Sequence, residues 1–267
     1  MTDNDLYIQR LLDGEPLRNP LFKAIIRNLD LPVGGQGLDV GCGIGLQTLL
    51  LSEVIGPKTH VTGLDILPEF LAYGGNLVRE SGCSGQISMA AGDAGRLPFA
   101  NDSFDWVWSA DCIGYPSGDL LPLLREMIRV TRSGGEIMIL AWTSQQVLPG
   151  YPLLEAQLNA DCSSYAPYLS GKRPDQHYLR ALRWFREAGL EDVRARTFIG
   201  EVQSPLSPGE RAALLSLFEM LWQVPETSPL REEYQRECIP ASPEFILDIP
   251  DYYAFFTYTL FRGKVSA

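Results

Sequence analysis

The 267-residue sequence predicts an α/β fold in which a mostly parallel sheet carries helices on both faces. Three observations point there. Short apolar runs at 37–40, 60–64, 87–91, 104–108 and 136–141 read as strands, and none alternates strictly between apolar and polar residues. Strands of that kind are buried on both faces, as parallel sheets require. Segments with helical spacing separate the runs, save for a loop over Gly95 to Asp102 before the fourth, so the pattern to residue 141 is strand–helix repeated. Lastly, Asp65, Asp93 and Asp111 each fall just past a run, at the carboxyl ends of strands where open sheets of this type bind ligands.

Taken in order, residues 1–30 read as two helices. Pro20 opens the second at its first position, and Leu21, Ile25, Ile26 and Leu29 give it one apolar face. Leu31-Pro32-Val33-Gly34-Gly35 ends it. Strand one (37–40) leads into Gly41-Cys42-Gly43-Ile44-Gly45, and a helix over about 46–55 stops before Gly56-Pro57. Strand two (60–64) closes on Asp65, and Pro68 opens a helix to about Ser81. Strand three (87–91) closes on Gly92-Asp93-Ala94, and strand four (104–108) on Ser109-Ala110-Asp111. A helix with apolar Leu120, Leu121, Leu124, Met127 and Ile128 runs to Val130, and strand five covers 136–141 after Gly134-Gly135.

Past residue 142 the rhythm changes. Residues 142–175 and 204–250 are interrupted by prolines and read as insertions of short helices and loops, with helices near 208–222 and 229–237 in the second. Between them lie a helix over about 175–188, stopped by Gly189, and strand six at 193–199; strand seven covers 252–264. The chain is expected to be one domain, residues 1–267. Its N-terminal helices (1–30) and the insertions at 142–175 and 204–250 are expected to form a cap over the carboxyl ends of the strands. Trp142, Tyr151, Tyr165 and Tyr168 are candidates to line an apolar pocket there, whereas Phe218 and Trp222, at helical spacing, suit the cap's own core.

Composition narrows the function. A net charge of −11 opposes any affinity that rests on neutralising phosphates, so no nucleic-acid partner is expected. The five cysteines are odd in number and contain no C-x-x-C pair, which argues against a disulfide framework or a metal site and suits a reducing compartment. No run approaches the ~18 apolar residues of a membrane span, and residues 1–10 lack the basic and apolar regions of a signal peptide. The expectation is a cytoplasmic enzyme or binding protein.

The glycine-rich turn is the sharpest signal. Glycines at 41, 43 and 45 let the backbone pass close to a ligand, and the helix that follows points its free N–H groups and positive end at that ligand. A nicotinamide-dependent oxidoreductase is one candidate, but its G-x-G-x-x-G pattern wants a third glycine where Leu46 stands. Asp39, two residues before the first glycine, is also unusual for that class and is suited to fixing an ammonium group.

The order Asp39-Val40-Gly41-Cys42-Gly43-Ile44-Gly45 resembles the first motif of class I S-adenosylmethionine-dependent methyltransferases. Val61-Thr62-Gly63-Leu64-Asp65 resembles their second motif, with its acidic residue 20 positions after Gly45. Gly92-Asp93-Ala94, Leu97-Pro98-Phe99 and Asp102-Ser103-Phe104-Asp105 are similar to the third and fourth, and Arg129 to Gly135 resembles the turn before strand five. The flavour is that of small-molecule methyltransferases such as those of quinone or sterol biosynthesis.

The resemblance implies a Rossmann-like seven-stranded, mostly parallel sheet with an antiparallel last strand, and S-adenosyl-L-methionine as cofactor. It implies methyl transfer to an O, N or C atom of a small organic acceptor. A non-catalytic binder of the same cofactor is the other alternative. Around the cofactor, Asp39 would serve the ammonium, Gly41, Cys42, Gly43 and Gly45 the close backbone approach, and Asp65 the ribose hydroxyls. Ile66 would cover the adenine, Asp93 and the Ala94 N–H would meet its polar edge, and the carbonyls of Ser109 and Ala110 would face the sulfonium. Cys42 also reads as a small filler, Asp65 as a helix cap, and Asp93 as an ordinary turn residue.

Methyl transfer mainly requires positioning and exclusion of water, with a base only where the acceptor must lose a proton. His177 is the candidate base, against a reading as an exposed helix-start residue, and Tyr115 a candidate wall of the acceptor pocket. Cys112 and Cys162 form no cluster by spacing. Asp105 and His60 read as structural, and Ser109 lacks the surroundings of a nucleophile.

Overall fold

In the computed structural model, which describes residues 3–113, 119–160 and 171–266, seven strands share one sheet. They are β1 (Gln36–Val40), β2 (His60–Asp65), β3 (Ile87–Ala91), β4 (Phe104–Ala110), β5 (Thr131–Gln146), β6 (Glu191–Gln203) and β7 (Tyr253–Lys264). Their spatial order is β3-β2-β1-β4-β5-β7-β6. The first five run parallel, and β7 is antiparallel to both of its neighbours. The chain winds outward from β1 to β3 and then returns to the far side of β1 as β4. The carboxyl ends of β1 and β4 therefore form the switch point at which such sheets open a crevice.

Helices α1 (Asp3–Asp13), α2 (Glu15–Arg27), α3 (Leu46–Ile55), α4 (Pro68–Glu80) and α5 (Leu120–Val130) belong to the first half of the chain, and α6 (Pro152–Ala160), α7 (Ala181–Glu187), α8 (Pro208–Leu221) and α9 (Arg231–Cys238) to the second. Leu38 and Val40 in β1 and Trp106, Val107 and Trp108 in β4 are fully buried, as the unbroken apolar runs require. In α5, Leu120, Leu124, Met127 and Val130 fall on one stripe and are all buried, each worth about 1.5–3 kcal/mol on removal from water. Asp119 caps that helix by accepting the Leu121 N–H at 3.2 Å. Asp105 fastens the start of β1, accepting the Gln36 N–H at 2.7 Å while its other oxygen pairs with Arg132. His60 shares a hydrogen bond with Ser88 across the first residues of β2 and β3.

Contacts divide the chain into two compact units. The larger comprises Phe22–Trp142, Arg173–Phe198 and Thr259–Ala267 and holds the core just described, to which Trp184, Phe185 and Phe261 also contribute. The smaller comprises Met1–Leu21, Thr143–Lys172 and Ile199–Tyr258. Within it Phe218 and Trp222 are buried and their rings stack at 5.1 Å, with the Trp222 indole N–H on Asn159. Glu155 is buried as well, accepting the N–H groups of Val147 and Leu148, and burial raises its carboxyl pKa. Among the described residues no helix is long and apolar enough to cross a membrane.

Three elements differ from expectation. Pro20 lies inside α2 rather than at its start, because Pro16 already occupies the first turn, where a missing N–H costs nothing. β5 continues back through Gly134-Gly135, since the Gly134 N–H donates to Val265 and the Val265 N–H to Gly135, which extends the pairing with β7. The helix expected from 175 begins only at Ala181, preceded by 3₁₀ turns at Pro174–Gln176 and Tyr178–Arg180 that extended His177 separates.

Candidate functional site

The site belongs to the larger unit and starts where β1 ends. Gly41, Gly43 and Gly45 have φ of +74°, +55° and +78°, the left-handed region that costs other residues about 1–2 kcal/mol. The N–H groups of Gly41 and Cys42 both donate to the Leu64 carbonyl, at 2.8 and 2.9 Å, which ties the turn to the last residues of β2. Gly45 is the N-cap of α3 and supplies no side chain to cap it, so the helix presents its first N–H groups at the turn. A Cβ built on Gly41 would stand 2.1 Å from the Cys112 sulfur. Only backbone fits between them.

Carboxylates surround this turn. Asp39 is buried, and the Thr48 hydroxyl from α3 donates to it at 2.7 Å. Burial, with a smaller push from the Asp65 charge, raises its pKa to about 7, while the Thr48 hydrogen bond opposes the shift. Asp65 is half-buried and accepts the Gly43 N–H at 2.8 Å on one oxygen and the Leu67 N–H at 3.0 Å on the other. It therefore braces the glycine turn against the start of α4, whose N-cap, Leu67, has no side-chain cap of its own. Each oxygen retains a lone pair for a further donor. Ile66, next along, is 64% exposed and so is available to a ligand at this strand end.

At the neighbouring strand end, the Gly92 N–H donates to the Asp65 carbonyl. Asp93 is exposed and accepts the Gly95 N–H at 2.8 Å, and the Arg96 N–H donates to its carbonyl, so it holds its own turn; Ala94 is partly buried. On the other flank, Ser109 is fully buried. Its hydroxyl donates to the Val40 carbonyl at 2.8 Å and accepts the Ile113 N–H at 3.4 Å, joining the ends of β1 and β4. Ala110 is buried beside it. Asp111, at φ +49°, accepts the Trp142 N–H at 2.8 Å and so ties the end of β4 to β5.

The two cysteines here are packing groups. Cys42 is buried, its thiol pKa is driven up by desolvation and by Asp39 and Asp65, and its sulfur sits near the space above Gly63. Cys112 has exposed surface, yet its sulfur is enclosed against Gly41, and burial with the charges of Asp65, Asp39 and Asp111 pushes its pKa up to about 12. Spacing alone had no means of placing Cys112 at the glycine turn.

Asp39, the 41–45 turn, Asp65, Ile66, Ser109, Ala110 and Cys112 are thus gathered at the ends of β1, β2 and β4, with Asp93 and Ala94 at the end of β3. His177, half-buried in the larger unit, caps the second 3₁₀ turn by accepting the Leu179 N–H at Nδ1, and partial burial lowers its pKa. Tyr115, Cys162, Tyr165 and Tyr168 lie outside the described residues. Among the described residues no group of three or more His, Cys, Asp or Glu could hold a metal ion.

Comparison with known proteins gives a consistent result. Residues 38–135 match a family described as a methyltransferase domain. The demethylmenaquinone methyltransferase of Bacillus velezensis is 32% identical over 65% of this chain and 78% of its own. That of Staphylococcus aureus strain JH9 is 32% identical over 67% of this chain and 78% of its own. Among solved structures, a SAM-dependent methyltransferase from Aquifex aeolicus is similar in fold, with a TM-score of 0.57 at 16% identity, covering 99% of this chain and 100% of that one.

Proposed function

Given that the chain belongs to the class I S-adenosylmethionine-dependent methyltransferases and transfers the cofactor's methyl group to a small-molecule acceptor, we propose that S-adenosyl-L-methionine lies across the 41–45 turn with its ribose on Asp65. The observation that carries this reading is the Gly43–Asp65 hydrogen bond. It sets glycine backbone directly beside a carboxylate with spare lone pairs, and the turn could hold no Cβ at Gly41. Neither an oxidoreductase nor a non-catalytic binder finds support among the relatives.

When bound, the cofactor supplies a methyl group already activated by its cationic sulfur. The protein's residues then have four tasks. Asp39, under the turn, offers negative charge to the ammonium end, and a nearby cation favours its ionised form. Asp65 accepts from the ribose hydroxyls. Ile66 covers one face of the adenine, while Asp93 and the Ala94 N–H meet its polar edge. The backbone at Ser109 and Ala110 lines the sulfonium side, its position held by the Ser109 hydroxyl bridge between β1 and β4. These groups orient the reacting carbon and keep water away, which is most of what an in-line displacement needs.

We assign the acceptor to the flat, apolar quinone class, because the curated relatives at 32% identity are named for demethylmenaquinone. Tyr115, which follows β4 in the sequence, is the proposed wall of its pocket. Where the acceptor must lose a proton, His177 is the proposed base; its Nδ1 lone pair is engaged by the Leu179 N–H, so it takes up a proton there only when that hydrogen bond is released. A cytoplasmic setting without nucleic acid completes the reading. The test is S-adenosylhomocysteine release from radiolabelled cofactor across prenylated hydroquinones, amines and carboxylates. Turnover with the hydroquinones alone is expected; turnover with only the other classes refutes the acceptor assignment.

A further inference from the structure

The larger unit contains a second cleft that the methyl-transfer reading does not use, with a volume of about 400 Å³. It is lined by Arg194, Arg196 and Phe198 of β6, Leu260 and Arg262 of β7, and the chain just after α2, ending in Asp30. In a chain with a net charge of −11, three arginines around one cleft stand out. Arg194 and Arg196 are two residues apart on one strand and so point to the same face, roughly 6.6 Å from each other. Both are exposed, and neither forms an ion pair among the described residues. The Arg196 guanidinium lies over the Phe198 ring at 4.8 Å, which fixes its plane.

Arg262 differs: it pairs with Glu136 and donates to the Leu29 carbonyl, so it is held in place with its charge largely met. Leu29 and Leu260 are buried and give the cleft an apolar floor. Asp30, just after α2, adds one negative charge to the lining. The cleft is remote from the glycine turn along the sheet. Glu136 is in register with Trp106, which is in register with Gly37, four residues before Gly41 or about 13 Å along β1.

We propose that this cleft binds a small organic oxyanion, a phosphate or carboxylate on a flat apolar body. The oxyanion is gripped by the Arg194–Arg196 pair, and the body rests on Phe198 and Leu260. Two free guanidinium forks on one strand suit the several acceptor oxygens of such a group, and Arg donates in a geometry that matches them. Asp30 repels a second negative group, so the ligand carries its charge at one end only. β6 is the last strand of the sheet, so no further strand pairs with it beside the cleft.

The test titrates the full-length protein with phenyl phosphate, benzoate and inorganic phosphate by calorimetry, for the wild type and for Arg194→Ala/Arg196→Ala. Both substituted side chains are exposed, and S-adenosylhomocysteine affinity serves as the check that the double variant is folded. Phenyl phosphate or benzoate is expected to bind the wild type in the millimolar range or tighter, and about tenfold more weakly to the double variant. The stronger of the two identifies the head group. Absence of binding at about 10 mM, equal affinity in the double variant, or inorganic phosphate binding as tightly as phenyl phosphate would each overturn the proposal.

Discussion

Replacing Asp65 with alanine separates its two roles, because one acts in the folded protein alone and the other only with cofactor. In the free protein its oxygens accept the N–H groups of Gly43 and Leu67, at 2.8 and 3.0 Å. An orphaned donor costs about 1–3 kcal/mol when buried, and half-burial of the site puts each of these at the lower end. Loss of about 2 kcal/mol in urea unfolding is therefore expected. With cofactor present, the ribose hydroxyls lose a charged acceptor, worth about 1.5–3 kcal/mol, so the Kd for S-adenosylhomocysteine should rise about 10- to 100-fold. Calorimetry well below the unfolding temperature reads this without interference from the stability loss. A variant that loses stability yet keeps its Kd within about twofold of the wild type would show Asp65 to be a turn brace only.

Other expectations follow from the same geometry. Gly41→Ala should destabilise by more than the about 1–2 kcal/mol of left-handed strain, because its Cβ meets the Cys112 side chain; Cys112→Gly should recover the clash but not the strain, as a positive coupling in a double-mutant cycle. Asp39 has a folded pKa near 7, above its unfolded value of about 3.9, so its contribution to stability is present below about pH 4 and lost as pH rises through 7. The wild type should lose up to about 4 kcal/mol across that window relative to Asp39→Asn, seen by urea unfolding at each pH; parallel curves would contradict the burial argument. A cation near Asp39 lowers that pKa, so S-adenosylhomocysteine should bind the wild type more tightly at pH 8 than at pH 6, and Asp39→Asn should show no such trend. Ser109→Ala removes the buried hydroxyl donor to Val40 and should cost about 1–3 kcal/mol in urea unfolding; an unchanged midpoint would refute the bridging role.

The parallel half of the sheet could be read from the sequence because strands buried on both faces leave unbroken apolar runs, as at β1 and β4. The glycine turn was equally legible: left-handed backbone at three alternate positions selects glycine. What a residue type does not display is its partner. Asp65 reads as a ligand group or a helix cap and Asp93 as a ligand group or a turn residue, and both hold local backbone N–H groups. Asp39 was visible as an unusual carboxylate, but its Thr48 partner is one of four polar residues in α3, beside Gln47, Ser52 and Glu53, and nothing in the spacing singled it out. Cys112 could not be placed, since it meets Gly41 across 71 residues and only through the pairing that sets Asp39 against Trp108. The start of α2 was misplaced because two prolines, 16 and 20, competed for one helix-opening signal.

A crystal grown with S-adenosylhomocysteine tests the central claim most directly. The account predicts the nucleoside between the 41–45 turn and Asp65, with both ribose hydroxyls on that carboxylate and the adenine against Ile66. Density for the nucleoside away from the ends of β1 and β2, or a turn that touches no ligand, would contradict it.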